Sequence, residues 1–100
     1  MKQNVLKFSK DGKTVIGVNG NYTSIIIPDG VTSIGYRAFN GCSSLKEVHL
    51  YHKQPNDISI DDDTFDETSY DNCILFIPSG SRWKYRHHPV FGKFEHIEIE

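Results

Sequence analysis

Residues 24–50 read SIIIPDGVTSIGYRAFNGCSSLKEVHL, and this stretch decides the fold. Its apolar residues follow neither the period of a helix nor the alternation of a strand throughout. They are Ile25, Ile27, Val31, Ile34, Ala38, Phe39, Cys42, Leu45, Val48 and Leu50. A chain that winds from strand to turn to helical turn and back has to change period while it keeps one side apolar. The stretch therefore predicts one full coil of a solenoid and the start of the next.

The same stretch resembles the repeat of the BspA-like leucine-rich repeat proteins, whose pattern is roughly I-x-I-P-x-G-V-x-x-I-G-x-x-A-F-x-x-C-x-x-L-x-x-V-x-L. The residues that fall on this pattern are Ile25, Ile27, Pro28, Gly30, Val31, Ile34, Gly35, Ala38, Phe39, Cys42, Leu45, Val48 and Leu50. The resemblance implies a leucine-rich-repeat solenoid, which is an α/β repeat that is mainly β by content. Its expected parts are a short stacked parallel sheet, brief helical turns and an N-terminal β-hairpin cap.

A second, degenerate coil follows the first. Ile60 precedes Phe65 by five residues, as Ile34 precedes Phe39, and Thr64 takes the place of the alanine. The two phenylalanines are therefore predicted to lie close together inside successive coils. Burial of Phe39 would contribute roughly 2 to 3 kcal/mol to stability.

Three strands are predicted to stack in parallel. The sequence at 74–77 is followed by Pro-Ser-Gly, just as the sequence at 25–27 is followed by Pro-Asp-Gly. Ile27, Leu50 and Ile77 then occupy equivalent places, 23 and 27 residues apart.

Two short helical segments are predicted between strands. Residues 36–40 favour one helical turn, which Gly41 ends in the left-handed conformation. Ser81 is a suitable N-cap for another short helix, which has to end before Pro89.

A terminal repeat exposes one end of the apolar core to water, so each end of the stack needs a capping segment. Residues 1–23 predict a β-hairpin with a tight Asp-Gly turn, which we assign as the N-terminal cap. Residues 80–100 resemble the family's terminal segment and form the predicted C-terminal cap. The residues at its characteristic places are Tyr85, Phe91, Phe94 and Ile97. About two coils, residues 24–79, lie between the caps, and residues 1–100 are predicted to form a single domain.

The composition is that of a small folded domain. Of the 100 residues, 37% are hydrophobic and 24% are charged, which excludes a disordered chain and a membrane-spanning one. The formal net charge of -2 gives no general attraction to nucleic acid.

The opening sequence MKQNVLKFSK has no apolar run long enough for a signal peptide. From the residues alone, the protein either stays inside the cell or begins after a removed leader.

The two cysteines, Cys42 and Cys73, are too few to build a disulfide framework. The family resemblance implies that Cys42 is a buried thiol. We therefore expect the two cysteines to remain unpaired.

Alternation along the strands defines a candidate binding surface. If the residues of the repeat pattern face the core, the residues between them point outward. Ile26, His49 and Phe76 then align across the sheet as an amphipathic row, flanked by Glu47 and Tyr51. Such a row is more typical of a contact surface than of a solvated one. The alternative is that a cap, a loop or a second copy of the chain covers it.

Metal binding is not predicted. The histidines are His49, His52, His87, His88 and His96. They do not offer the convergent ligands that zinc requires, and a spacing of three puts the first two on opposite faces of a strand, so we expect ordinary exposed imidazoles. The acidic run at 57–71 lacks the glycine and terminal glutamate of a calcium loop, and is expected to be a solvated edge. A loose calcium site built from Asp61, Asp63 and Asp66 is the alternative.

Nucleic-acid binding and catalysis are not predicted either. Four basic residues lie among aromatic residues in 82–94, but neighbouring aromatics at i and i+2 cannot share a helical face. Some of those rings are therefore expected to be buried while the cations remain in water. The sequence has no nucleophile elbow, phosphate loop or metal-binding helix motif.

These observations predict a non-catalytic module, without cofactor or metal, that presents a rigid surface to another protein. The family resemblance implies adhesion and a secreted or cell-surface location in bacteria, with a cytoplasmic location as the alternative. The alternative functions are a small calcium-binding protein, or a structural protein that forms a homo-oligomer through its sheet face. We expect neither a nucleic-acid partner nor membrane insertion.

Overall fold

The computed structural model describes residues 5–100, and strands make up most of their regular structure. The strands are β1 (Leu6–Phe8), β2 (Thr14–Val18), β3 (Ser24–Ile27), β4 (Ser33–Ile34), β5 (Glu47–Leu50), β6 (Ile74–Ile77) and β7 (His96–Ile99). The helices are α1 (Glu67–Asn72) and α2 (Arg82–Arg86), and 3-10 turns span Pro55–Asp57, Asp62–Thr64 and Phe91–Lys93. Residues 1–4 of the predicted cap at 1–23 lie outside the described residues.

Four strands form one parallel sheet in the order β3-β5-β6-β7. The prediction that three strands stack in parallel is confirmed, and Leu50 pairs with Ile27 as expected. The fourth strand, β7, is not predicted by the repeat pattern, although it continues the sheet by pairing Ile97 with Leu75. Residues 80–95 do not carry the repeat pattern, so the pattern gives no register with which to extend the sheet to β7.

Other parts of the coil also stack. β2 pairs antiparallel with β1, which confirms the predicted hairpin, and it pairs in parallel with β4 so that Val15 lies beside Ile34. Isolated parallel bridges join Ser33 with Ser59 and Phe39 with Phe65. The hairpin therefore joins the ladder of the repeat in addition to lying at its end.

Alternate residues of the sheet fill an apolar core. The predicted core-facing residues are all buried: Ile25, Ile27, Val48, Leu50, Leu75 and Ile77. The rings of Phe39 and Phe65 are also buried and stack with their centroids 5.1 Å apart, so their predicted proximity is confirmed. Thr64 is buried at the alanine position, where its hydroxyl donates a hydrogen bond of 3.2 Å to the carbonyl of Gly35. That bond satisfies a polar group that would otherwise destabilise the core.

The C-terminal segment contributes its aromatic residues to the same core. Tyr85, Phe91 and Phe94 are fully buried, and Ile97 is nearly so, as the family resemblance implies. The hydroxyl of Tyr85 donates a hydrogen bond of 2.6 Å to the carbonyl of His52. The burial of these rings explains how a chain this short obtains a core of adequate size.

The predicted helical turn at 36–40 is wrong. These residues form successive tight turns, because Arg37 adopts a φ of 57° that a right-handed helix cannot continue. Gly41 has a left-handed φ of 83°, as predicted.

The predicted capping role of Ser81 is also wrong. α2 begins directly after Ser81, but the hydroxyl of Ser81 donates to the carbonyl of Pro78 at 2.6 Å and makes no cap hydrogen bond. The helix ends at Arg86, before Pro89, as predicted.

Replacing Phe39 tests the stacked core. We expect Phe39→Ala to lower the free energy of unfolding by about 3 to 5 kcal/mol, because it removes a fully buried ring together with its stacking contact with Phe65. The control is Tyr36→Ala, which removes a ring that is 62% exposed and should cost at most about 1 kcal/mol. Urea unfolding followed by circular dichroism measures both. Equal losses in the two variants would contradict the stacked core, and Phe39→Leu replaces Phe39→Ala if the latter does not fold.

Candidate functional site

The outer face of the four-stranded sheet contains the candidate binding surface. We define the outer face as the side chains of β3, β5, β6 and β7 that point away from the core, together with Tyr51 and Glu100. Its first row is Ser24, Glu47, Ile74 and His96, and its second row is Ile26, His49, Phe76 and Glu98. The register thus aligns Ile26, His49 and Phe76 as the sequence pattern predicts.

The second row is not uniformly exposed. Ile26, at the β3 end, exposes 47% of its surface, and Tyr51 exposes 45%. The rings of His49 and Phe76 stack on one another with centroids 4.6 Å apart and an angle of 9° between their planes, and both residues are half-buried. The accessible apolar surface therefore lies mainly at Ile26 and Tyr51, and the stacked pair forms a firm floor between the strands.

His49 is held between two carboxylates. Its Nδ1 lies 2.8 Å from Oε1 of Glu100, and its Nε2 lies 2.9 Å from Oε1 of Glu47. Carboxylates only accept hydrogen bonds, and only the protonated imidazole donates from both nitrogens, so this geometry fits the cation. Desolvation opposes protonation, but the hydrogen bonds and charges of Glu100 and Glu47 outweigh it and raise the pKa of His49.

An apolar groove of 210 Å³ adjoins the exposed end of the second row. Val5, Leu6 and Phe8 line one side of it, and Ile26 and Pro28 line the other. The hairpin therefore adds apolar surface to the outer face, which the alternation of the sheet strands alone does not indicate.

The outer face is acidic. Glu47, Glu98 and Glu100 lie on it, and no Lys or Arg residue within 5–100 does. Glu98 and Glu100 belong to the β7 region, so they are missing from the predicted surface. The alternation of HIEIE at 96–100 is the signal that would have revealed them.

The expectation of ordinary exposed imidazoles is wrong for His49, which is half-buried between two carboxylates, and it is also wrong for His52. This residue is only 9% exposed, and its Nε2 lies 2.8 Å from the carbonyl of Val31. The chain alternates between His49 and His52, so their side chains do point to opposite sides, as predicted. His88 is half-buried, and burial lowers its pKa, whereas His87 and His96 are exposed.

The acidic run makes local structural contacts. Asp61 forms a capping box with Thr64, and a carboxylate oxygen of Asp66 accepts a hydrogen bond of 2.8 Å from the amide of Gly41. Asp62 forms an ion pair of 3.1 Å with Lys93. Within residues 5–100, no three His, Cys, Asp or Glu side chains are grouped so that they would hold a metal ion.

The basic and aromatic segment divides as predicted between core and solvent. Its rings at Tyr85, Phe91 and Phe94 are buried, whereas Trp83 is 71% exposed and stacks on His87 with the ring centroids 4.0 Å apart.

The two cysteines are free thiols. Cys42 is half-buried and Cys73 is buried. The half-exposed position of Cys42 differs from the buried thiol that the resemblance implies.

Parallel strands that recur with the same register define a repeat protein of mainly β content. The family model for the BspA type leucine rich repeat region (6 copies) matches residues 18–98. The chain therefore belongs to the BspA-type leucine-rich repeat family, as its sequence predicts. No curated protein matches the chain. Within the described part of the chain, no helix has the length and apolar character needed to cross a bilayer.

The contacts of His49 predict a pH-dependent stability. Because the pKa of His49 is raised in the folded protein, its stabilising contribution is complete below the ordinary histidine value of 6.5 and is lost as the pH rises through the raised value. We expect the free-energy difference between wild type and His49→Gln to be larger at about pH 6 than at about pH 8. Urea unfolding at both pH values measures it.

The control is His96→Gln, which makes the same substitution at an exposed histidine of the same face. At about pH 6 it should lower the free energy of unfolding less than His49→Gln does, because His49 lies between two carboxylates. A His49→Gln effect that is constant, or that grows as the pH rises, would contradict the paired-carboxylate geometry.

Proposed function

We propose that the protein is a non-catalytic protein-binding module that presents its outer face to a partner. The observation that supports this most strongly is the in-register row of Ile26, His49 and Phe76, with Tyr51 exposed beside it. Clustered apolar and aromatic side chains at a surface are typical of contact sites, since they lose unfavourable contact with water when a partner covers them.

We infer that the architecture is a short capped solenoid that forms one domain. Residues 1–23 would be the N-terminal cap, residues 24–79 about two coils, and residues 80–100 the C-terminal cap. The continuous parallel ladder and the stacked phenylalanines support this arrangement. A face backed by such a core keeps its shape on binding, which reduces the entropic cost of association.

The absence of catalysis is part of the proposal. Desolvation raises the pKa of both Cys42 and Cys73, so their thiolate forms, which are the reactive ones, are disfavoured. Nε2 of His52 and Nδ1 of His88 are engaged by backbone groups instead of by a side-chain nucleophile. These contacts fit structural roles better than general acid–base roles.

We also propose an adhesion role and a secreted or cell-surface location in bacteria, with the cytoplasm as the alternative. Membership of a family that is typically surface-associated supports this location. A chain with this face would bind proteins at or beyond the cell envelope.

Site-specific photo-crosslinking tests the binding face. A benzophenone amino acid replaces either Tyr51, which lies on the outer face, or Tyr36, which is at least as exposed but lies on the turns after β4. We expect a discrete protein adduct from position 51 in an extract of the source cells and none from position 36. Mass spectrometry of the adduct identifies the bound protein.

A second experiment asks whether the adduct at position 51 depends on the outer face. Adding Ile26→Asp should abolish the adduct at position 51, because a carboxylate replaces the most exposed apolar side chain of the row. The matched control is Ile16→Asp on β2, which changes an isoleucine that is 54% exposed and should leave the adduct intact. Equal adducts from positions 51 and 36, or an adduct unaffected by Ile26→Asp, would contradict the proposal.

A further inference from the structure

The outer face and helix α2 carry opposite charges. Among the described residues the outer face has three glutamates and no lysine or arginine, and the His49 cation between Glu47 and Glu100 offsets one of the three negative charges. The segment at 79–94 has the reverse composition, because it contains no aspartate or glutamate. Its basic residues are Arg82, Lys84, Arg86 and Lys93. Lys93 is paired with Asp62, whereas Arg82 and Arg86 donate to neutral backbone carbonyls and so keep their net charge. With a net charge of only -2, two copies of the chain repel each other weakly, so these local charges govern how they approach.

Trp83 makes α2 a suitable anchor. It is the most exposed large apolar side chain among the described residues, at 71%. Its ring stacks on His87, and Nδ1 of His87 lies 2.8 Å from the carbonyl of Trp83, so the indole is already ordered. An ordered tryptophan loses little side-chain freedom when it is buried, and tryptophan is among the residues that contribute most to protein interfaces.

The outer face has a groove that suits an aromatic anchor such as Trp83. The apolar groove beside Ile26 and Phe8 provides a place for an aromatic anchor, and the glutamates lie along the same face toward β7. From β3 to β7 the face is about 14 Å wide at about 4.8 Å per strand spacing. Lys84, which is exposed and lies next to Trp83 on α2, is the basic side chain best placed to reach those glutamates, because Arg82 and Arg86 donate to the carbonyls of Ile97 and Phe94.

We propose that the occupant of the outer face is a second copy of this chain, which docks the exposed side of α2 there with Trp83 as the anchor. This inference rests on the proposed function, because it names the partner of that same face. The two contacting surfaces differ, so the contact is heterologous and leaves each end of a dimer able to bind a further copy. Assembly therefore extends with protein concentration and weakens as salt screens the charges.

Sedimentation velocity of the purified full chain tests the inference. We expect wild type to form species larger than a dimer as the concentration rises, and to return toward monomer at high salt. Ile26→Asp on the face and Trp83→Ala on the helix should each weaken association at least about tenfold. The matched controls, Ile16→Asp and Tyr36→Ala, change similarly exposed residues elsewhere and should associate like wild type.

Mixing the two weakened variants gives the sharpest result. Ile26→Asp retains an intact helix and Trp83→Ala retains an intact face, so the mixture should form a one-to-one dimer that does not extend. A mixture that stays monomeric would overturn the heterologous contact. If either variant fails to fold by circular dichroism, Glu98→Lys and Lys84→Ala replace the pair, and each should again be weak alone and dimerise when mixed.

The outcomes separate this inference from the proposed function. A wild type that remains monomeric at every concentration overturns the self-association, and an adduct between position 51 and a different protein would then leave the proposed function standing. Self-association that neither Ile26→Asp nor Trp83→Ala weakens would overturn this inference. If the chain without further substitutions gave no adduct at position 51, that result would count separately against the proposed function.

Discussion

The register of the parallel sheet is the constraint on which the rest of this structure depends. Ile25, Val48, Leu75 and Ile97 occupy the same position on successive strands, so each strand places one set of side chains in the core and the alternate set outside. A slip of one residue would exchange these two sets. The same alignment stacks Phe39 on Phe65 inside the molecule and Phe76 on His49 outside it.

Much of this fold is predictable from the sequence because a repeat carries its register with it. The spacing of Ile34 and Phe39 recurs in Ile60 and Phe65, and the structure brings the two phenylalanines together. The repeat does not reveal β7, because the segment before it departs from the pattern. Nor does it reveal the left-handed Arg37, since that conformation depends on how the turns between strands are closed and not on hydrophobic spacing.

The candidate site is predictable only in part, for a related physical reason. Alternation along single strands places Ile26, His49 and Phe76 on one face, but it gives no contact between distant segments. Glu100 reaches His49 from 51 residues away, which requires the fourth strand to be in place. Tyr85 likewise reaches His52 from 33 residues away, where its hydroxyl donates a hydrogen bond to the His52 carbonyl, and alternation along a strand does not indicate this contact.

The outer face combines a rigid floor, formed by the stacked rings of His49 and Phe76, with an exposed edge at Ile26. Interstrand proton contacts measured by nuclear Overhauser spectroscopy test the register most directly. We expect side-chain contacts that join Ile25 to Val48, Val48 to Leu75 and Leu75 to Ile97, together with contacts between the rings of Phe39 and Phe65. Contacts that show antiparallel pairing of these strands, or a register shifted by one residue, would contradict it.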